Sequence, residues 1–206
     1  MPVAVRLALA GVITVVALAV ALWPRESKDP APDHQARVSS QISGELRAEA
    51  GLAPCPRPAA GAVGSGPLAG ITLGCLADGE PVDLAAALAG KPALLNLWAY
   101  WCGPCAQELP YMQQYAQRAG GAVTVLTVHS DPDEAKALAR SAGLDVRLPG
   151  VLDANARVRT AVGAPAVLPI SVLLRPDGSV AEVVVRTFTS VDDIADTVAA
   201  RLGVAA

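Results

Sequence analysis

The apolar run Ala93-Leu94-Leu95-Asn96-Leu97-Trp98-Ala99 leads, through Tyr100, into Trp101-Cys102-Gly103-Pro104-Cys105 and then into a stretch compatible with a helix. Nothing else in the chain restricts its fold as strongly. A short run that is apolar on both faces reads as a strand buried in the middle of a sheet. The helix after it begins with N–H groups that have no intrahelical partner, and its dipole adds roughly half a positive charge at that end. A Cys-x-x-Cys pair at this junction is a redox device. A thiolate there is stabilised, so its pKa falls below the free value of about 8.5. The thiolate attacks a disulfide, and a second thiol three residues on resolves the mixed disulfide that forms. The competing reading, half of a structural zinc site, would need Cys55 and Cys75 as further ligands, and their spacing does not make two knuckles. No metal and no cofactor is expected.

The rest of the C-terminal part alternates strands with helices. Residues 68–76 and 81–84 flank the turn Ala77-Asp78-Gly79-Glu80 as a hairpin, and Leu84 to Leu88 reads as a short helix. Cys102 to Ala119 is helical with Pro110 inside, where the missing N–H removes a ladder bond and predicts a kink. Ala122 to Val128 is a second buried strand. Pro132 to Ala142 is a helix with Asp131 as its expected cap, Leu148 to Leu152 a strand, and Ala154 to Val162 a helix. Strands over 170–174 and 180–185 surround Arg175-Pro176-Asp177-Gly178, and Ser190 is placed to cap a closing helix over 191–202. This order predicts an α/β fold with a central sheet flanked by helices, and the last hairpin makes the sheet mixed.

Leu7 to Trp23 is seventeen residues without a charge. As a helix it would measure about 26 Å, slightly less than a hydrocarbon core of roughly 30 Å. It exceeds the apolar stretch of a usual signal peptide, and no polar region follows Ala19-Val20-Ala21. Residues 1–23 are therefore read as an N-terminal transmembrane anchor, with a cleaved signal segment as the alternative. Residues 24–66 are rich in Pro and Gly and read as a linker; 38–52 has room for a short helix. A domain over 67–206 follows. The few basic flanking residues, Arg6 against Arg25, Lys28 and Arg37, would by themselves place the C-terminal part in the cytosol. The cysteines argue the other way. Cys55 and Cys75 lie apart from the redox pair, and an additional pair suits an oxidising compartment where a structural disulfide survives. Such a bond would close a loop of about twenty residues and contribute on the order of 3 kcal/mol. A second exchange-active pair and two unrelated thiols are the other readings. A net charge of −3 and a pI near 5.3 argue against a nucleic-acid footprint.

Leu97-Trp98-Ala99-Tyr100-Trp101-Cys102-Gly103-Pro104-Cys105, followed by Glu108 and Pro110, resembles the thioredoxin superfamily, in particular its membrane-anchored extracytoplasmic branch of TlpA, ResA and DsbE type. The likeness covers about residues 67–203. It implies a thioredoxin-like fold, with Cys102 as the attacking cysteine and Cys105 as the buried resolving one. It implies that Pro169, in Val167-Leu168-Pro169-Ile170, is a cis-proline beside the pair, with the backbone of Leu168 aimed at an incoming peptide strand. Glu108 matches an acidic residue that helps move the proton of the resolving thiol. Asn96 stands where thioredoxin itself has Asp, as is common in the extracytoplasmic branch, and Leu168 is bulkier than the branch's usual residue.

The resemblance implies a thiol–disulfide oxidoreductase tethered to the cell membrane with its C-terminal domain outside, or released there after signal cleavage. Its substrates would be disulfide-containing proteins, apocytochrome c among them, and its electrons would come from a membrane thiol donor of CcdA or DsbD type. Gly103-Pro104 leans towards a reductase. A disulfide-forming oxidase and a non-catalytic binding module remain the alternatives. Trp101 is expected on the substrate-facing surface and Trp98 in the core. His129, at a strand end, reads as a loop residue.

Overall fold

The computed structural model describes residues 44–205. Among these, no helix is long and apolar enough to cross a membrane, and the apolar run Leu7 to Trp23 lies outside them. Seven strands form one mixed sheet: β1 (Thr72–Cys75), β2 (Pro81–Asp83), β3 (Ala93–Trp98), β4 (Thr124–His129), β5 (Gly150–Leu152), β6 (Ile170–Leu174) and β7 (Val180–Val184), in the spatial order β2-β1-β5-β4-β3-β6-β7. β3 pairs in parallel with β4 and antiparallel with β6, so both of its edges are satisfied and every one of its residues is buried. That is why its sequence is apolar almost throughout.

Alternation along β3 decides what each helix layer meets. Leu94 and Trp98 join one core cluster with Leu109, Met112 and Tyr115 of α3 (Gly103–Ala119). Ala137 of α4 (Glu134–Gly143) and Ile194 and Val198 of α6 (Val191–Leu202) complete that layer. Ala93, Leu95 and Leu97 face the opposite cluster, with Leu84 of α2 (Leu84–Ala87) and Val158 of α5 (Arg157–Ala161). Asn96 therefore belongs to the α3 face. Its register partners, Ser171 on β6 and Thr127 on β4, are buried polar residues as well. A polar row thus crosses the centre of the sheet beneath the redox helix.

One local expectation changes and another holds. Asp133, not Asp131, caps α4, its carboxylate accepting the Lys136 N–H at 3.0 Å. Asp131 Oδ1 instead accepts the Asp133 N–H at 2.9 Å, a side-chain turn that delays the helix start beyond Pro132. Ser190 caps α6 through the Asp193 N–H, as its sequence position predicts.

The stretch whose proline and glycine content reads as linker also contributes to the core. Residues 44–50 form helix α1, Ala50 is buried, and Leu46 and Leu52 pack on the α3-side cluster. Arg47 on α1 pairs with Glu134 of α4 at 2.6 Å. Cys55 is bonded to Cys75 on β1, with Cα atoms 6.0 Å apart. Composition suggests mobility here, but a few apolar side chains, one ion pair and one covalent bond are enough to seat the segment.

Candidate active site

The end of β3 and the start of α3 are joined by a turn at residues 99–101, closed by the Cys102 N–H donating to the Ala99 carbonyl at 3.0 Å. Cys102 is the N-cap of α3, and its sulfur accepts the Cys105 N–H at 3.2 Å. Pro104 sits in the first turn, where a missing N–H costs nothing. Cys102 and Cys105 are joined as a disulfide with Cα atoms 5.3 Å apart. Cys102 is 5% exposed and Cys105 fully buried. The residual exposure of the pair lies on Cys102, which favours Cys102 for first contact with another disulfide. In the reduced state the N–H groups at this helix start favour the Cys102 thiolate.

Glu108 lies one helical turn after Cys105, on the same face of α3. It is fully buried. Its Oε1 accepts the Phe188 N–H and its Oε2 accepts from Asn96 Nδ2, each at 2.7 Å. Burial pushes its carboxyl above the ordinary range; the two hydrogen bonds and the charge of Arg186 pull it only partly back. A buried carboxyl that holds its proton closer to neutrality can exchange it with a neighbouring thiol. Asn96 also reaches Ser171 Oγ at 3.4 Å, so two sheet residues orient the carboxyl that the helix carries.

The Leu168–Pro169 peptide bond is cis, and Pro169 is buried. Pro169 immediately precedes Ile170, the register partner of Leu97, which puts the proline near the end of β3 that launches the redox turn. Trp101 is 60% exposed, Val167 50%, and together with Leu168, Ser130 and Arg159 they line a groove of about 320 Å³. The structure thus brings Trp101 and Leu168 into one surface, and places Glu108 beneath the pair rather than on the surface of the helix. Cys55 and Cys75 are paired with each other in the cluster on the opposite side of the sheet from α3.

Three residues of this region escape a reading of the sequence alone. His129 is not a loop residue: it ends β4 and is fully buried. Its Nε2 accepts the Tyr100 N–H at 3.2 Å and its Nδ1 stands 3.0 Å from the Asp131 carbonyl oxygen, which calls for a neutral ring with the proton on Nδ1. Burial lowers its pKa, in keeping with that neutral form. It packs edge-on against Trp98, its register partner, at 4.8 Å between ring centres. The parallel register of β3 and β4 places His129 on the same face as Trp98, which no single strand's alternation could have shown. Asp131 Oδ2 accepts from Trp101 Nε1 at 3.0 Å and holds the exposed indole at the groove rim. The Asp133 N–H, first among its contacts, keeps the Asp131 carboxyl below its ordinary range. Arg159 reaches the groove from α5, 58 residues from Trp101 along the chain, and no local pattern links the two.

A protein-family model described as Redoxin matches residues 29–199. The thiol-disulfide oxidoreductase ResA of Bacillus subtilis is 33% identical over 113 residues, covering 54% of this chain and 62% of that protein. The chain therefore spans less than two thirds of that relative's length. A thioredoxin of Streptomyces clavuligerus is 34% identical over 86 residues, 42% of this chain and 76% of that protein. Among solved structures, a secreted Mycobacterium tuberculosis disulfide oxidoreductase homologous to E. coli DsbE superposes with a TM-score of 0.56 at 28% identity, covering 65% of this chain and 97% of the other. DsbF from MTB superposes with a TM-score of 0.58 at 26% identity, over 65% and 96% of the two chains.

Proposed function

The chain belongs to the Redoxin family, of the ResA and DsbE type within the thioredoxin superfamily, and from that premise we propose that it is an extracytoplasmic thiol–disulfide oxidoreductase that reduces disulfides in protein substrates. The observation that carries the reading is the Cys102–Cys105 pair at the start of α3, Cys102 slightly exposed and Cys105 fully buried, with Trp101 and the cis-bonded Leu168 lining an open groove.

In the reduced protein the Cys102 thiolate attacks one sulfur of the substrate disulfide. A Cys102–substrate bond forms, the substrate S–S bond breaks, and the leaving thiolate takes a proton. Cys105 then loses its proton, with Glu108 as the adjacent group able to take it, and attacks the Cys102 sulfur. The mixed disulfide breaks, the second substrate thiol leaves, and the Cys102–Cys105 disulfide forms. Two electrons have passed to the substrate. A thiol donor must return them, and a membrane donor of CcdA or DsbD type fits the resemblance. Apocytochrome c, whose haem-binding thiols must be reduced, is the proposed substrate. The segment over 7–23 is the proposed tether to the outer face of the cell membrane.

Redox equilibrium against glutathione tests the direction. A potential near that of thioredoxin, about −270 mV, supports reduction; one near about −120 mV makes the chain an oxidant. Trapping with Cys105→Ser in cells tests the substrate, because the mixed disulfide at Cys102 then persists for mass spectrometry. Absence of cytochrome c precursors among the trapped partners removes that assignment.

A further inference from the structure

The groove beside the redox turn has mostly apolar side chains and one charge. Trp101, Val167, Leu168, Ala156 and Ala166 supply its walls, Ser130 a hydroxyl, and Arg159 its single charge. Arg159 is half-buried and, among the described residues, makes no side-chain hydrogen bond or ion pair. The contrast with its neighbour is direct. Arg157, two residues earlier, donates to the carbonyls of Gly70 and Thr72 at 3.0 and 3.2 Å. Asp131, which meets the groove through Trp101, already accepts from Trp101 Nε1 and the Asp133 N–H and does not pair with Arg159. A guanidinium partly withdrawn from water along an apolar wall, with its donors unspent, is a place for a carboxylate, whose geometry matches its planar fork.

We propose that this groove selects acidic substrate strands: an extended segment lies along Trp101, Val167 and Leu168 with its cysteine at Cys102, and Arg159 reads an Asp or Glu near that cysteine. This rests on the exchange reaction proposed above and names the substrate class it favours. Charge complementarity across such a rim sets encounter rate and partner choice more than total affinity, so the effect appears in the rate of attack.

The test uses the reduced full-length chain and three mixed disulfides, each a short peptide with one cysteine joined to 2-mercaptoethanol. The peptides carry Glu, Gln or Lys at every position within two residues of the cysteine. Stopped-flow rates on the wild-type chain are expected in the order Glu, Gln, Lys, with Glu about 3- to 5-fold faster than Gln at low salt and the gap narrowing as salt rises. Arg159→Gln brings the Glu-to-Gln ratio to about one, and Arg159→Glu puts the Lys peptide first. A merely structural role for Arg159 would move all three rates by one common factor. Equal rates in the wild-type chain, or a Glu preference that survives in Arg159→Glu, overturn the acidic assignment while exchange itself stands. Failure of the wild-type chain to react with bis(2-hydroxyethyl) disulfide overturns the exchange reaction, and the acidic assignment with it.

Discussion

Cys55–Cys75 and Cys102–Cys105 are the same covalent bond in two settings. Exposure hardly separates them: Cys55 is 3% exposed and Cys102 5%. Their backbone surroundings do. Cys102 caps a seventeen-residue helix, receives an N–H from Cys105, and follows Trp101, which lines an open groove. Cys75 ends a short strand and Cys55 lies in an irregular segment packed beneath it, so neither has a helix terminus to stabilise a thiolate. Chain separation differs too, twenty residues against three. The longer closure removes much more freedom from the unfolded chain. On these grounds the longer closure is expected to stabilise the fold, and the shorter one to open and close in exchange. Burial by itself would not have told them apart.

Substitutions can break this contrast. The largest effect is expected for Cys102→Ser, which removes the attacking sulfur and should lower reduction of a protein disulfide by on the order of a thousand-fold or more. A normal rate in that variant would end the exchange reading. Replacing Cys55 and Cys75 together by Ala should cost on the order of 3 kcal/mol in denaturant unfolding, while the folded fraction keeps exchanging disulfides. A matching loss of exchange activity under conditions where the variant is folded would show that the distinction between the two bonds is false.

Glu108 sharpens the comparison, since it is a buried acid on the same helix as the Cys102–Cys105 pair. Its carboxyl is raised by burial, so the folded state binds a proton more tightly than the unfolded chain does. The stabilisation from that proton is complete below the ordinary carboxyl range, near pH 4.5, and is lost as pH rises through the elevated folded value. Glu108→Gln should flatten this part of the stability profile and slow resolution of a mixed disulfide at Cys102, a step followed by rapid acid quenching. An unchanged stability profile would mean that Glu108 is not held as described.

The smallest effect concerns the rim. Asp131→Ala releases the Trp101 indole from a single hydrogen bond worth about 1 kcal/mol. A few-fold slower reaction with protein disulfides is expected, and little change with a small disulfide that does not occupy the groove. Equal slowing of both would place Asp131 in the general support of the turn instead.

How much of this could be read from the sequence varies from element to element. β3, the redox turn and α3 were legible because their signals are local: a doubly apolar strand, a cysteine pair and a helix start. The cap of α4 was misplaced by two residues because Asp131 and Asp133 are equally good caps by type. Only the turn around Pro132 separates them. Residues 44–66 looked like linker because composition reports turns, not whether Ala50, Leu52 and Cys55 find partners. The side chain of Glu108 could have faced water; Asn96 and Phe188 bury it from 12 and 80 residues away.

The amino-acid sequence by itself determined the Cys-x-x-Cys pair at a helix start and the strand–turn–helix frame that holds it, since these depend on neighbours along the chain. Tertiary structure alone decided three things: that His129 is a buried, neutral support of the redox turn, that Glu108 is a buried acid, and that Trp101, Leu168 and Arg159 share one groove. Each of these depends on strand register and layer packing. Those are set by the burial of apolar surface over the whole sheet, and no short window of sequence contains them.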